Sequence, residues 1–260
     1  MIQVVLLGAA GRMGRAVREA AGSHTALAIK ACVDRAENLG GPAGVWRASL
    51  EEIVEPGDVV VEFSTPAACL EAALLCAERG AALVSGSTGL SAEDEAAVRA
   101  AASRVAVVRA ANFSLGLAIL RRAVTAALEA LPRNWDVEIV ERHHRNKLDS
   151  PSGTALLLAA DVALARGFGP ASVRSGRTGH TGVRGDAEVG VASVRGGSWV
   201  GDHEVLLAGE SEWLELRHVA SERGAFAHGA LAAARFAAGA PAGLHSMSDV
   251  AAGATGFRDG

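Results

Sequence analysis

Short apolar runs alternate with segments of helical spacing through the first half of the chain. The apolar runs cover residues 2–7, 27–33, 59–63, 82–85 and 105–109. Nearly continuous apolar runs of this length are typical of strands that are buried on both faces. The intervening spacing predicts helices over 12–21 and 66–79 and a third helix capped by Ser91. Strands that alternate with helices predict an α/β fold, a Rossmann-like doubly wound parallel sheet with helices on both faces.

The pattern changes after Asn112. Residues 115–131 predict one long helix, and residues 151–166 predict another that begins at Ser152. Strands are predicted over 135–140, 187–194, 203–207 and 213–219, the last three without helical crossovers. Such a run of strands is typical of a smaller α+β domain whose mixed sheet keeps one face open. Residues 174–186 lack an apolar period and predict a long loop, and 225–236 predict a final long helix.

Composition narrows the classes of protein. The chain has 260 residues, half of them hydrophobic, and a formal net charge of −4. A mildly acidic net charge does not favour binding to nucleic acid or to an anionic membrane. No apolar stretch approaches the roughly 20 residues that a membrane-spanning helix needs. The three cysteines, Cys32, Cys69 and Cys76, have no metal-ligand spacing and no disulfide framework. We therefore expect a cytoplasmic protein without a structural metal ion.

A glycine-rich turn follows the first predicted strand and opens the first helix. Its glycines are Gly8, Gly11 and Gly14, spaced Gly-x-x-Gly-x-x-Gly rather than in the commoner Gly-x-Gly-x-x-Gly order. Glycines here allow a tight turn, close approach of a pyrophosphate and close helix–strand packing, while the helix N-terminus favours anions. The expected contacts to a dinucleotide are Gly8, Ala9, Ala10, Gly11, Arg12 and Met13.

Two further groups of residues are expected at the same cofactor. Asp34 ends the second strand, where it would accept hydrogen bonds from the ribose hydroxyls, and the adjacent Arg35 would meet a 2′-phosphate. Having both residues predicts that NADH and NADPH are each accepted. The nicotinamide end is expected at two later strand ends, where Asn112 would bind the carboxamide. These strand ends contain Gly86, Ser87 and Thr88, and Ala110, Ala111, Asn112 and Phe113.

The stretch 141–154 carries most of the remaining chemistry. It contains two histidines, two arginines and a lysine, and it leads into Pro-Ser-Gly-Thr at a helix start. Cations beside the N–H groups of a helix N-terminus indicate a ligand with carboxylates. A histidine in that setting can hold or release a proton near neutral pH.

Two motifs carry a resemblance to a known family: the signature Glu-x-His-His-Arg-x-Lys-x-Asp-Ser-Pro-Ser-Gly-Thr over 141–154, and Gly-Ala-Ala-Gly-Arg-Met-Gly near the N-terminus. With these motifs the chain resembles the 4-hydroxy-tetrahydrodipicolinate reductase (dihydrodipicolinate reductase) family of lysine and diaminopimelate synthesis. The resemblance implies reduction of a cyclic, unsaturated imine dicarboxylate by NADH or NADPH. It implies that His143 donates the proton and that Lys147 binds the substrate and assists proton transfer. The residues that it implies for substrate binding are His144, Lys147, Ser152, Gly153, Thr154 and Arg223.

The same resemblance implies the domain organisation. Residues 1–114 and 225–260 would form the dinucleotide-binding domain, and 115–224 a substrate-binding domain that mediates assembly into a homotetramer. Two alternatives remain open from the residues alone. One is another two-domain NAD(P)-dependent oxidoreductase of amino-acid metabolism, such as a semialdehyde dehydrogenase, which needs a nucleophilic cysteine. The other is a non-catalytic NAD(H)-sensing regulator, which would need only the first half of the chain. Lys30 is expected to be a solvated residue at a strand end.

Overall fold

The computed structural model describes residues 1–41 and 45–253, which fall into two compact units. The first unit contains the residues up to Leu115 and those from Arg223 on, and the second contains Gly116–Glu222. Residues 254–260, which the predicted segment 225–260 includes, lie outside the described part of the chain.

The regular elements follow the sequence pattern closely. The strands are β1 (Ile2–Leu7), β2 (Leu27–Val33), β3 (Val45–Arg47), β4 (Val59–Glu62), β5 (Ala82–Ser85), β6 (Ala106–Arg109), β7 (Asp136–His143), β8 (Val173–Ser175), β9 (Val189–Arg195), β10 (Gly201–Ala208), β11 (Trp213–Ala220) and β12 (Gly243–His245). The helices are α1 (Arg12–Ala21), α2 (Pro66–Arg79), α3 (Ala92–Ala101), α4 (Leu115–Ala130), α5 (Gly153–Arg166), α6 (Gly224–Ala237) and α7 (Met247–Gly253).

The first unit is built on a parallel sheet with the strand order β12-β6-β5-β4-β1-β2-β3. Every described strand pair in it is parallel. The chain leaves β1 toward β2 and β3 on one side and later adds β4, β5 and β6 on the other. This reversal places a ligand crevice at the carboxyl ends of β1 and β4. The predicted Rossmann-like fold class is confirmed.

Local signals explain why the helices of this unit begin and end where they do. Thr65 caps α2 by accepting a hydrogen bond from the N–H of Ala68, Pro66 takes the first helical position, and Gly80 ends the helix with a left-handed φ of 71°. Ser91 and Asp94 form a reciprocal capping box at the start of α3. The short elements β3, β12 and α7 were not predicted, because three residues of strand or seven of helix carry too little periodicity to be recognised.

The second unit contains a mixed five-stranded sheet in the order β11-β10-β7-β9-β8. β10 is antiparallel to both its neighbours, whereas β9 is parallel to β7 and β8. Alternate residues of β7, beginning with Val137 and Ile139, pack with Leu120 of α4 and Leu158 of α5 in one apolar core. That face is therefore covered by helices, and a mixed sheet in a smaller α+β unit is confirmed.

Three sequence predictions need correction here. The predicted strand 135–140 continues to His143, because the charged residues at its end hide the apolar pattern. The predicted loop 174–186 begins with a short strand that pairs with β9, and Arg184 fastens the loop by donating to the carbonyl oxygens of Val137 and Glu188. Lys30 is not a solvated strand end, because its Nζ binds the carboxylate of Asp58 at 2.8 Å and its side chain is 17% exposed.

None of the helices within residues 1–41 and 45–253 combines the length and apolar character needed to cross a membrane. Within the same ranges, His, Cys, Asp and Glu side chains nowhere gather in groups of three or more that could hold a metal ion.

Candidate nucleotide and substrate sites

The glycine-rich turn joins β1 to α1 in a shape that requires its glycines. Gly8 has a φ of +78°, and a Cβ placed on it would lie 2.5 Å from the carbonyl oxygen of Phe63. A Cβ on Gly14 would lie 2.3 Å from the carbonyl oxygen of Gly8. The N–H of Gly11 closes the turn by donating to that same oxygen at 3.0 Å. Gly8 thus makes the tight turn and Gly14 allows close packing of α1 on the turn, as the sequence predicts.

Asp34 holds this turn from the end of β2. Its Oδ2 accepts a hydrogen bond from the N–H of Ala10 at 2.9 Å, and its Oδ1 accepts from the N–H of Arg35 and from Asn38 Nδ2. Partial burial by itself raises the pKa of Asp34, but the hydrogen bonds from Asn38, Ala10 and Arg35 lower it overall. The carboxylate is therefore ionised and shapes the turn, in addition to the ribose contact that the sequence predicts.

A cavity of about 590 Å³ opens between this turn and the end of β4. Gly8, Ala10, Gly11, Asp34 and Arg35 line it, and the side chain of Arg35 is 79% exposed beside Glu37. Ser64 and Thr65, which come directly before α2, line it as well. A helix N-terminus, backbone N–H groups and a carboxylate around a cavity of this volume fit the adenosine and phosphate part of a dinucleotide.

The remaining residues of the turn are placed by packing. Ala9 is fully buried, while Arg12 and Met13 are the first two residues of α1, with Arg12 exposed. None of these three lines the cavity, so their predicted contacts to the cofactor stay predictions.

The strand ends predicted to hold the nicotinamide surround a second cavity of about 340 Å³ in the same unit. Ser87, Thr88, Ala110 and Ala111 line it. Gly86, Asn112 and Phe113 do not line it, and a Cβ on Gly86 would fall 2.2 Å from the ring of Phe63. Asn112 Oδ1 accepts from the N–H of Ser114 at 2.9 Å, and the buried Phe113 packs edge-on against Phe63 with ring centroids 5.3 Å apart.

A buried carboxylate, Glu62, joins the walls of the two cavities. Its Oε1 accepts hydrogen bonds from the hydroxyl of Ser64, which lines the larger cavity, and from the hydroxyl of Ser87, which lines the smaller one. The N–H of Ser64 and the hydroxyl of Ser85 donate to the same carboxyl group. No sequence pattern indicates this role, because a single acidic residue at the end of a strand has many explanations.

In the second unit, the end of β7 brings the signature residues together. His143 is 8% exposed, and its Nδ1 lies 2.5 Å from Oε2 of the fully buried Glu141. Glu141 also accepts two hydrogen bonds from the guanidinium of Arg195, both 2.7 Å long, and one from the N–H of Ser152. Burial alone raises the pKa of Glu141, but hydrogen bonds from Arg195, Ser193 and His143 outweigh it and lower the pKa to about 2.

Lys147 lies in the turn that follows β7. The N–H of His144 donates to the carbonyl oxygen of Trp199, and the N–H of Lys147 donates to the carbonyl oxygen of His144. Lys147 Nζ binds Oδ1 of Asp149 at 2.8 Å, and its side chain is 21% exposed. The ammonium group is therefore held near the surface of this unit, within reach of solvent and of a ligand.

The chain then enters α5 at the predicted anion-binding residues. Ser152 is the N-cap, with its hydroxyl accepting from the N–H of Ala155 at 3.1 Å, and Gly153 and Thr154 are the first two helical residues. The first N–H groups of a helix have no partner within the helix and favour an anion. Arg223 belongs to the first unit, as the residue before α6, and its predicted contact with the substrate stays a prediction.

His203 of β10 completes the cluster, and the sequence assigned it no role. Its ring packs edge-on against that of His143 with centroids 5.1 Å apart, and its Nε2 lies 3.3 Å from the hydroxyl of Ser152. Burial, assisted by the neighbouring His143, lowers the pKa of His203 to about 4. His203 is thus a neutral imidazole at neutral pH.

Two family models cover nearly the whole chain. The model described as dihydrodipicolinate reductase, N-terminus, matches residues 2–113, and the one described as dihydrodipicolinate reductase, C-terminus, matches residues 116–251.

Individual relatives agree with the family models. Among curated proteins, 4-hydroxy-tetrahydrodipicolinate reductase of Caulobacter vibrioides is 42% identical over 96% of both chains. The protein of the same name from Rhizobium meliloti is 44% identical over 96% of this chain and 97% of its own. A solved structure, the dipicolinate-bound dihydrodipicolinate reductase of Paenisporosarcina sp. TG-14, superposes with a TM-score of 0.77 at 25% identity, covering 95% of this chain and 97% of its own. The chain therefore belongs to the dihydrodipicolinate reductase family and is an oxidoreductase, as its sequence predicts.

Proposed function

We propose that this chain reduces 4-hydroxy-tetrahydrodipicolinate to tetrahydrodipicolinate with NADH or NADPH, a step of lysine and diaminopimelate biosynthesis. The observation that carries the proposal is the cluster at the end of β7, where Glu141 holds His143 beside Ser152 at the start of α5. The bound dipicolinate of the Paenisporosarcina relative supports a cyclic dicarboxylate as the ligand.

The cluster has the charges that such a substrate needs. One carboxylate would bind at the start of α5, where Ser152, Gly153 and Thr154 present the helix N-terminus. Lys147 supplies a cation, and His144 lies beside it on the same turn. Arg223, from the first unit, is the further contact that the family resemblance implies. These groups would also stabilise the negative charge that develops on the conjugated ring during reduction.

His143 is the proposed proton donor, and its Nε2 is the proposed donor atom. Because Nδ1 faces the carboxylate of Glu141, the transferable proton belongs on Nε2. A reduced nicotinamide, when bound, supplies the hydride. The hydroxyl and one hydrogen of the neighbouring ring carbon would leave together as water, the ring would gain this hydride and one proton from His143, and solvent would return a proton to the imidazole. Lys147 would hold the substrate and assist the proton transfer.

The first unit would bind the cofactor. Gly8, Ala10 and Gly11 would approach the phosphates, Asp34 the ribose, and the residues around the smaller cavity the nicotinamide. Arg35 borders the larger cavity with its side chain exposed, which supports contact with a 2′-phosphate when NADPH binds. Acceptance of both NADH and NADPH is part of the proposal.

Assembly and location extend the proposal. Trp213 and Val219 lie on the sheet face opposite the helices and are 69% and 57% exposed on the edge strand β11. Large apolar side chains on an uncovered face favour contact with further copies of the chain. We propose a homotetramer, located in the cytoplasm, with no nucleic-acid or membrane partner.

The cysteines argue against the semialdehyde dehydrogenase alternative. All three thiols are free and buried. Burial raises the pKa of Cys32 and of Cys69, and it raises the pKa of Cys76 to about 12. A nucleophilic cysteine requires the opposite, a thiolate that is accessible and has a lowered pKa.

The test follows the absorbance of the reduced cofactor while the condensation product of pyruvate and aspartate semialdehyde is supplied, with NADH and NADPH in turn. We expect turnover that falls about 100-fold or more in Lys147→Ala and His143→Ala, with cofactor binding retained. Arg122→Ala, which removes an exposed cation of α4, and His180→Ala, which removes an exposed histidine, are the matched controls. Turnover that survives in both site variants would contradict the assigned roles, and cofactor binding without any turnover would favour the sensing regulator.

A further inference from the structure

We propose that Glu141 and Arg195 form a positioning pair, which orients His143 for proton transfer and fixes Lys147 and the start of α5 relative to it. The inference rests on the proposed function of His143 as proton donor. Neither residue of the pair is taken to touch the substrate. Both would act through the groups that do.

The contacts of Glu141 carry the first step. Each oxygen of its carboxylate faces two nitrogen atoms, in addition to the hydrogen bond from Ser193. Oε2 faces His143 Nδ1 and Arg195 Nη1, and Oε1 faces Arg195 Nη2 and the N–H of Ser152. The carboxylate is therefore saturated on both sides. Rotation of the His143 ring would break a bond to a fully buried charge, so the ring orientation and the free Nε2 are fixed together.

The contacts of Arg195 carry the second step. Besides its two bonds to Glu141, the guanidinium donates from Nη2 to the carbonyl oxygen of Asp149 at 2.7 Å. The carboxylate of Asp149 in turn binds the ammonium of Lys147. The pair thus reaches His143 directly, the α5 N-terminus through Ser152, and Lys147 through Asp149. The same buried ion pair therefore holds three candidate functional groups, directly or through one further residue.

The surroundings of the pair argue for a functional rather than a packing role. Val137 and Ile139 occupy the helix-covered face of β7, and the next two residues on that face are Glu141 and His143. A buried ion pair seldom stabilises a fold more than apolar residues of the same volume would. The polar contacts of Glu141 at the end of an otherwise apolar face are therefore better explained by the geometry that they impose on His143.

The experiment compares Glu141→Gln and Arg195→Lys with the wild type. Glutamine keeps the shape but removes the charge, and lysine keeps the charge but cannot form the two parallel hydrogen bonds. We expect kcat to fall about 100-fold in Glu141→Gln, with KM for the cofactor unchanged, because the nucleotide-binding residues lie in the other unit. The solvent deuterium isotope effect on kcat should increase, because proton transfer from a poorly oriented imidazole becomes rate-limiting.

Asp161→Asn provides the matched control. It breaks a similar two-bond ion pair with Arg121, between α4 and α5, that touches none of the site residues. This variant should keep the wild-type kcat and isotope effect. Circular dichroism and melting temperature report whether each variant folds, and Arg195→Lys provides the test if Glu141→Gln does not fold.

Several outcomes would overturn the inference. In the first, Glu141→Gln or Arg195→Lys folds and keeps the wild-type kcat and isotope effect, while His143→Ala is inactive. This result would refute the positioning role and leave the proposed function intact. Another is an equal loss in Asp161→Asn, which would show general destabilisation instead of positioning. A wild-type protein that reduces nothing with either cofactor would instead refute the proposed function.

Discussion

Replacement of His203 by glutamine should make the stability of the protein less dependent on pH. His203 is 3% exposed, its Nε2 lies near the hydroxyl of Ser152, and its pKa is lowered from 6.5 to about 4 by burial and by the neighbouring His143. In the unfolded chain the same imidazole titrates near its ordinary pKa of about 6.5. Between these two values the unfolded state binds a proton that the folded state does not bind.

The sign and the size of the effect follow from this difference. Stability rises with pH wherever the unfolded state binds more protons. The contribution of His203 is therefore fully present above pH 6.5 and is lost as the pH falls to about 4. The gap between 6.5 and about 4, at about 1.4 kcal/mol per pH unit, amounts to about 3 kcal/mol. The carboxyl group of Glu141 adds its own loss only below the ordinary glutamate pKa of 4.5, toward its folded pKa of about 2.

Urea unfolding at several pH values between about 7 and about 4 measures this contribution. The wild-type free energy of unfolding should fall by about 3 kcal/mol more than that of His203→Gln over this range. His180→Gln, which removes an exposed histidine, should follow the wild type. Protein concentration is held constant, because assembly makes apparent stability depend on it. Parallel pH dependences for the wild type and His203→Gln would refute the reasoning.

Three further predictions concern the first unit. Arg35→Ala should raise KM for NADPH more than KM for NADH, because it removes the cation proposed for the 2′-phosphate; equal changes in steady-state kinetics would argue against that contact. Gly14→Ala should lower the melting temperature by several degrees and weaken cofactor binding, because the new Cβ would lie 2.3 Å from the carbonyl oxygen of Gly8. An unchanged melting temperature in calorimetry and an unchanged affinity in cofactor titration would contradict the turn geometry. Glu62→Ala should raise the dissociation constants of NADH and NADPH about tenfold in a fluorescence titration, because three serine hydroxyls lose their acceptor. The nearly isosteric Glu62→Gln should have a smaller effect, and equal effects of the two variants would indicate that the charge of Glu62, not its hydrogen bonds, matters for binding.

Periodicity was sufficient for most of the fold. The strands β1, β2 and β5 and the helices α1 and α2 have the predicted bounds, because each combines an apolar run with a clear start or end signal such as Pro66 or Gly80. Periodicity did not predict an element that is very short, as in β12, and it did not predict the full length of a strand in which polar residues of the candidate site replace apolar ones. β7 is the clearest case, since Glu141 and His143 continue the inward-facing alternation of Val137 and Ile139 as polar residues.

The candidate site was less accessible to sequence reasoning for a physical reason. Glu141 lies two residues before His143 and therefore on the same face of the strand, a spacing that could have indicated their contact. Arg195 and His203 come from β9 and β10, and their approach depends on strand order and register. In the sheet, Glu141 is paired with Ser193 on one side and with His203 on the other. Nothing in the local sequence of these strands specifies that register.

The two units share one structural device at their candidate sites. Near the end of a strand, an acidic side chain accepts a hydrogen bond from the backbone N–H of a segment that leads into a helix: Asp34 from Ala10 before α1, and Glu141 from Ser152 before α5. A carboxylate of lowered pKa makes this a charge-assisted bond, which is about twice as strong as a neutral one. The shape of each helix start is then held by a fixed charge as well as by its own loop sequence. This accounts for a well-formed glycine-rich turn at Gly8–Gly14 despite its departure from the commoner glycine spacing, because Asp34 holds Ala10 in the middle of that turn.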